Sequence, residues 1–240
     1  MTFAFCHLSC RSWAYVPGHF YHTGHTQEKV IALTFDDGPG KFTIPILELL
    51  KKHNIHATFF MLGDQIEEYP AIARQVLEEG HEIGNHTYTH FDYHKQKNAA
   101  PQRLAHELAQ TEATLRRALR DPGFKTKLVR MPYGYFNRTW LLPTLKENGY
   151  ALVHWSFGED WMLKRHSAHE SKTDSSVMLT PEVLAADYIK NARPGAVFLF
   201  HDGGRHRERT LGALQIVVPE LEKRGYHFIP AREMFPDPAP

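Results

Sequence analysis

The sequence predicts an α/β fold built on a parallel sheet. Short apolar, β-branched runs recur along the chain, and helix-forming stretches separate them. Several of those helices end on a residue suited to left-handed backbone, and a strand candidate follows at once. Strands that alternate with helices in this way pair in parallel through right-handed crossovers. Seven strand candidates fit either an incomplete (β/α) barrel or a doubly wound open sheet.

Residues 1–26 show no clean periodicity and are rich in His, Tyr and Gly. They read as an extended N-terminal extension packed on a domain spanning 27–240. Within that domain the strand candidates are 29–35, 57–62, 81–85, 127–131, 150–155, 196–201 and 226–229. The helix candidates are 43–53, 70–79, 102–120, 137–148, 181–192 and 210–224. The helix at 102–120 is the clearest, because Leu104, Leu108, Leu115 and Leu119 recur at helical spacing. Glu79-Gly80, Asn148-Gly149 and Arg224-Gly225 each put Gly where a helix should stop, and His53-Asn54 does the same with Asn.

Bulk properties bound the function. At 240 residues the chain can hold one substantial domain with a real core. A net charge of +1 favours neither nucleic acid nor an anionic membrane as partner. No apolar run is long enough for a transmembrane segment. The N-terminus lacks a basic stretch followed by an apolar one, so no signal peptide is visible in this chain. Cys6 and Cys10, both near the N-terminus, could pair, bind metal or stay free.

In a parallel α/β fold, function sits at the C-terminal ends of the strands. Asp36 and Asp37 follow the first strand candidate, and Asn85-His86 follows the third. Arg130-Met131-Pro132-Tyr133 follows the fourth, Gly158-Glu159-Asp160-Trp161 the fifth and His201-Asp202 the sixth. An acidic turn at Asp36-Asp37 and a structural ion pair at Arg130 are ordinary alternatives for each alone. They do not explain the shared location. Histidine spacing alone carries little: with 17 histidines, about one His-x-x-x-His pair is expected by chance, and the chain has His86/His90 and His90/His94. His94 reads as a bystander.

Read as chemistry, Asp37, His86 and His90 offer one oxygen and two imidazole nitrogens, a donor set that suits Zn²⁺ or a similar divalent ion. An ion held there would make water a nucleophile and polarise a carbonyl oxygen. Neighbouring side chains on a strand alternate between faces, so Asp36 is expected to be free of the metal and to serve as general base. His201 could protonate a leaving group, with Asp160 holding its ring cationic. Arg130 could orient Asp36, and the backbone N–H of Tyr133 could help stabilise an oxyanion. Tyr135, Phe136 and Trp161, near strand ends, are candidates for the walls of a substrate subsite.

Five ordered segments carry a resemblance: Thr34-Phe35-Asp36-Asp37-Gly38-Pro39, His86-Thr87-Tyr88-Thr89-His90, Arg130-Met131-Pro132-Tyr133-Gly134, Asp160-Trp161 and Leu199-Phe200-His201-Asp202. They resemble the motifs of the polysaccharide deacetylases, the NodB-homology enzymes of carbohydrate esterase family 4, over about residues 27–230. The resemblance implies a distorted (β/α)7 barrel of NodB type and a divalent ion, usually zinc, with Co²⁺ or another ion as the alternative. It implies hydrolysis of N-acetyl groups on N-acetylglucosamine residues of chitooligosaccharide or peptidoglycan. An O-acetyl xylan esterase, another metal-dependent amidohydrolase, or a non-catalytic sugar-binding module are the alternatives.

By position, the resemblance implies Asp36 as base, Asp37, His86 and His90 as metal ligands, His201 as acid, Asp160 as its partner and Arg130 as support for the base. It also implies that Tyr133 lends its backbone N–H and that Trp161 and Leu199 line a pocket for the acetyl group. The implied partner is an N-acetylated glycan, and the implied location is secreted, periplasmic or cell envelope. Two departures stand out. Met131 replaces a common Pro, and Phe157 replaces the first acidic residue of the fourth motif, with Glu159 as a candidate substitute. Residues 164–174 read as a polar, exposed loop near the site.

Overall fold

The computed structural model describes residues 15–95, 100–162, 164–166 and 176–235. Cys6 and Cys10 lie outside them, as does most of the polar stretch 164–174. In chain order the elements are β1 (Phe20–Tyr21), β2 (Val30–Asp36), α1 (Thr43–Lys52), β3 (Thr58–Met61), α2 (Gly63–Glu68), α3 (Pro70–Glu78), β4 (Glu82–Asn85), α4 (Ala100–Leu119) and β5 (Leu128–Val129). After a 3₁₀ turn at Pro132–Gly134 come α5 (Leu141–Glu147), β6 (Ala151–Val153), β7 (Lys164–His166), β8 (Ser176–Met178), α6 (Pro181–Lys190), β9 (Ala196–His201), α7 (Glu208–Lys223), β10 (His227–Ile229) and α8 (Ala231–Met234).

All seven expected strands are present and belong to one parallel sheet, ordered β1-β6-β5-β4-β3-β2 with β9 on the far side of β2. β10 pairs with the first half of β2, below the point where β3 takes over the same edge. The sheet then curls onto itself. Phe157, beyond β6, bridges in parallel to Phe198 of β9, and the Ser156 N–H donates to the Val197 carbonyl at 2.9 Å. That closure excludes the open doubly wound sheet. Because it rests on one bridge, the barrel is distorted.

Alternation along the strands sorts the core into layers. On β2, Ile31, Leu33 and Phe35 are fully buried outward against Ile46, Leu47 and Leu214 of the helices. Ala32 points inward to a cluster with Phe60, Leu128, Val153 and Val197, and Met234 and Phe235 cover the same cluster. By the same parity Thr34 and Asp36 of β2 and Leu199 and His201 of β9 face the interior, and Asp36 lies level with His201 in the register.

Several elements differ from the sequence expectation. α2 forms where no helix is expected, and Tyr69 (φ −125°, ψ 55°) with Pro70 separates it from α3. Phe20–Tyr21 joins the sheet beside β6. The helix expected from 137 begins only at Leu141. β7, at the start of the stretch read as an exposed loop, pairs antiparallel with β8, just beyond that stretch. The helix stops behave as expected: Gly80, Gly149, Gly225 and Asn54 have φ of 83°, 81°, 80° and 53°. A Cβ at Gly149 would meet nothing within 4 Å, so Gly149→Ala adds backbone strain alone. It should cost about 1–2 kcal/mol in equilibrium urea unfolding, with the m-value unchanged.

Candidate active site

At the C-terminal ends of the strands lies a cavity of about 330 Å³ lined by Asp36, Asp37, His86, His90, Met131, Tyr133, Gly134, Trp155, Trp161, Leu199, His201 and Arg207. Eight of the ten residues to which the family resemblance gives a role line it. The other two, Arg130 and Asp160, are fully buried behind it.

Arg130 holds one flank. Its Nη1 donates to Asp36 Oδ1 and to Thr34 Oγ1, each at 2.8 Å. Its Nε and Nη2 donate to the carbonyls of Val153 and His154, both at 3.1 Å. One oxygen of Asp36 is thus committed. The other, Oδ2, lies 3.7 Å from His86 Nε2.

Asp37, His86 and His90 form the centre. Asp37 Oδ1 lies 3.4 Å from His86 Nε2 and 3.3 Å from His90 Nε2. The three ligand atoms lie within 4.8 Å of one another. His86 Nδ1–H donates to the Arg130 carbonyl at 2.8 Å, which fixes the tautomer and leaves Nε2 as a lone-pair donor. Asp37 Oδ1 is buried without a hydrogen bond. Such an oxygen is costly unless a cation is to meet it, so the donor set fits a divalent ion.

Electrostatics point the same way. Burial opposes charge on Asp37, but the imidazole of His86 at 3.4 Å, with those of His201 and His90 beside it, holds it well below the usual carboxylate range. Burial likewise opposes a charged His86, yet Asp36 and Asp37 draw positive charge to its ring and raise it. His90 is lowered by burial and by His86.

One sequence expectation fails in its reason. Asp36 and Asp37 do not point to opposite faces. The strand ends at Asp36, and Asp37 adopts left-handed backbone (φ 71°), which returns its carboxylate to the same His86 nitrogen. The two carboxylates are told apart by partner instead: Asp36 has Arg130, and Asp37 has none but the imidazoles.

His201 holds the other flank. Its Nδ1 lies 2.7 Å from Asp160 Oδ1, and its backbone N–H donates to Asp160 Oδ2 at 2.8 Å. Thr210 Oγ1 donates to Asp160 Oδ2 at 2.7 Å. Burial works against a charged imidazole here, but the charge and hydrogen bond of Asp160 outweigh it and raise His201 to about 9. Trp161 stands edge-on to the His201 ring at 5.8 Å, and Leu199 is buried below it. Across the mouth the exposed ring of Tyr133 meets His90 edge-on at 4.6 Å.

The sequence model of the family described as polysaccharide deacetylase matches residues 23–153. The chain belongs to the polysaccharide deacetylase family. It is 36% identical over 208 residues to a peptidoglycan-N-acetylglucosamine deacetylase of Bacillus cereus, covering 86% of this chain and 88% of that one. It is 32% identical to a chitooligosaccharide deacetylase of Bradyrhizobium, covering 85% and 90%. Among solved structures, the Bc1960 peptidoglycan N-acetylglucosamine deacetylase superposes with a TM-score of 0.75 at 32% identity, covering 90% and 92% of the two chains. A family 4 acetyl xylan esterase from Clostridium thermocellum, in complex with cobalt, gives 0.70 at 32% identity, covering 86% and 90%.

Within the polysaccharide deacetylase fold, some expectations are corrected. Tyr135 is buried against Tyr93 and Trp140 and walls no subsite. Phe136 is exposed but outside the cavity. His94 is exposed, edge-on to Tyr135, and outside the ligand cluster as expected. Glu159 is not among the residues lining the cavity, and Phe157 packs edge-on against Tyr188. Sequence reasoning misses Trp155, Arg207 and Glu107. Trp155 lies at a strand end, where a signal was present. Arg207 gives no local signal, although it is buried and its Nη1 donates to the Asp160 carbonyl at 3.3 Å.

Glu107, on α4, holds the loop that carries His90. Its buried carboxylate accepts from the N–H groups of Tyr88 (3.0 Å) and Thr89 (2.8 Å) and from Thr89 Oγ1 (2.7 Å). That loop needs a clamp, because Thr87 and His90 both have positive φ (70° and 55°). Glu107→Ala should weaken Zn²⁺ or Co²⁺ affinity by roughly 10–100-fold in a metal titration, with the fold retained by circular dichroism.

Proposed function

We propose that the protein is a metal-dependent hydrolase that removes N-acetyl groups from N-acetylglucosamine residues of a glycan, peptidoglycan or chitooligosaccharide. One observation carries the reading: a single cavity holds a buried, partnerless carboxylate oxygen facing two imidazoles, with a supported carboxylate on one side and a carboxylate-held imidazole on the other. The named activities of the relatives support the same chemistry.

Asp37, His86 and His90 would hold the ion, which we take to be zinc, with cobalt able to stand in for it. When bound, the ion supplies Lewis acidity toward water and the acyl oxygen. Asp36 acts as general base through Oδ2, since Arg130 keeps Oδ1 occupied and the carboxylate oriented. Water adds to the acyl carbon as its proton passes to Asp36. His201, held protonated by Asp160, gives a proton to the departing amine nitrogen as the C–N bond breaks. The products are acetate and a free amino sugar. The backbone N–H of Tyr133 is our candidate for the developing oxyanion. Leu199 and Trp161, which line the cavity with His201, are our candidates to receive the methyl of the acetyl group.

Action on an envelope glycan would place the enzyme at the cell envelope or outside it. No helix among the described residues is long and apolar enough to cross a membrane.

Acetate release from N-acetylglucosamine oligomers should stop with chelator and return with Zn²⁺ or Co²⁺. Release from acetylated xylan and not from the oligomers would move the reading to the esterase. Asp36→Asn should lower kcat by roughly 10²–10⁴-fold while metal still binds. Intact activity in that variant would sink the base role.

Asp160→Asn tests the acid. His201 works protonated, and Asp160 raises its pKa. Removing that charge lets the imidazole deprotonate earlier, so the alkaline limb of the kcat/KM profile should move down by roughly 1–3 pH units. An unmoved alkaline limb would count against His201 as the acid.

A further inference from the structure

The large aromatic side chains left exposed among the described residues are Tyr133, Phe136 and Trp161, at 62%, 48% and 44%. All three stand at or beside the mouth of the cavity. Tyr133 and Trp161 form its rims. Phe136 continues away from it.

Phe136 belongs to an unbroken run of rings. Trp161 meets Trp155 edge-on at 6.1 Å, and Trp155 lies in the cavity. His154 stacks on Trp155 at 3.9 Å and 8°. Phe136 meets His154 edge-on at 5.1 Å, and Phe20 of β1 stacks on Phe136 at 5.5 Å and 21°. His22, exposed, lies 5.6 Å from Phe20. The strip therefore starts inside the cavity and ends on the N-terminal strand. Gly134 fits closely beneath it: a Cβ there would lie 2.6 Å from the Trp155 ring and 3.1 Å from His154 Nε2. Backbone thus packs directly on the rings and fixes them.

Leaving these rings in water is costly unless something covers them. We propose that the strip through His154, Phe136 and Phe20 is an extended subsite for sugar units next to the one that reacts, so that the substrate chain leaves the cavity toward β1. This rests on the glycan deacetylase reading. A pyranose ring has an apolar C–H face and a rim of hydroxyl groups. Aromatic rings interrupted by imidazoles offer both apolar surface and hydrogen-bonding nitrogens. The strip is continuous with the cavity, as a chain threading through the site requires. It extends past Phe136 to a segment of the chain that precedes the five motifs.

The test compares an N-acetylglucosamine dimer with a hexamer on wild type, Phe136→Ala and Phe136→Tyr. Phe136 is exposed and outside the catalytic groups, so its removal should leave the fold and metal binding intact. The alanine variant should lose about 2- to 10-fold in kcat/KM on the hexamer, with the dimer unchanged. The tyrosine variant, which keeps a ring, should restore the hexamer rate. Phe20→Ala should repeat the pattern. Equal losses on both substrates, or none on either, would overturn the subsite. Calorimetric binding of the same oligomers to wild type and Phe136→Ala reads the strip without catalysis. Wild type that binds the hexamer more tightly than the alanine variant but releases acetate from neither the oligomers nor peptidoglycan would overturn the deacetylase reading and leave the subsite standing. Binding unaffected by Phe136→Ala would overturn the subsite alone.

Discussion

The interaction on which the rest of the site depends is the buried ion pair between Arg130 and Asp36. Both side chains are sealed from water, which is costly for charges unless geometry and hydrogen bonding are nearly complete. Here they are. The guanidinium reaches Asp36 and Thr34 on β2, Val153 on β6 and the His154 carbonyl beyond it, and the Arg130 carbonyl accepts from His86. Phe60 packs over the guanidinium at 4.2 Å. One residue thus ties β2, the end of β4 and β6 together and orients both the candidate base and a candidate ligand. Lysine could not replace it, because a single ammonium lacks the planar fork that meets four acceptors at once.

That pair has force only because the sheet curls. On an open sheet the ends of β2 and β9 would neighbour each other, but the segment after β6 would lie at the far edge. The bridge from Phe157 to Phe198 carries Asp160 round to His201. Glycine makes the closest approach possible: a Cβ on Gly203 would lie 1.9 Å from the Asp37 carbonyl oxygen. Strain collects in the same place. Asp37, His90 and Tyr133 all hold positive φ at the points where strands give way to loops. Packing around them must enforce those conformations. The Glu107 carboxylate beneath Tyr88 and Thr89 is one visible means.

Much of this was legible in the sequence, and for physical reasons. Strand positions follow from apolar runs that a sheet buried on both faces requires, and helix stops follow from Gly and Asn at left-handed positions. Once the strands are placed, the polar residues after them fall at one end of the barrel by topology. The failures also have causes. Tyr135 and Phe136 are adjacent in a segment without period, so nothing local says which is buried by Tyr93 and Trp140 and which is left outside. Alternation predicts opposite faces for Asp36 and Asp37, but it applies only while the strand lasts. Glu107 and Arg207 are distant in sequence from the Tyr88, Thr89 and Asp160 atoms they hold; Glu107 sits on a helix that looks like any amphipathic helix, and Arg207 in the turn before α7. Supporting contacts of this kind are set by tertiary packing rather than by spacing.

The charges in the cavity suggest why the arrangement has three parts. Asp36 is matched by Arg130 at 2.8 Å. Asp160 is matched by His201 at 2.7 Å, with Arg207 3.8 Å away. The Asp36 flank is close to neutral by itself, and the Asp160 flank is net positive while His201 is protonated. Asp37 is the remainder, a negative oxygen without a hydrogen bond, facing two imidazole nitrogens. In a buried setting such an imbalance is removed either by protonation or by a cation. The raised His86 and the lowered Asp37 mean that the site already gathers positive charge at this point. A divalent ion would satisfy it with less distortion than a proton, since it can accept one oxygen and two nitrogens together. The separation also keeps the two proton-handling groups apart. Arg130 holds a base ready to receive a proton, and Asp160 holds an acid ready to give one, so neither has to change partners before the reaction begins.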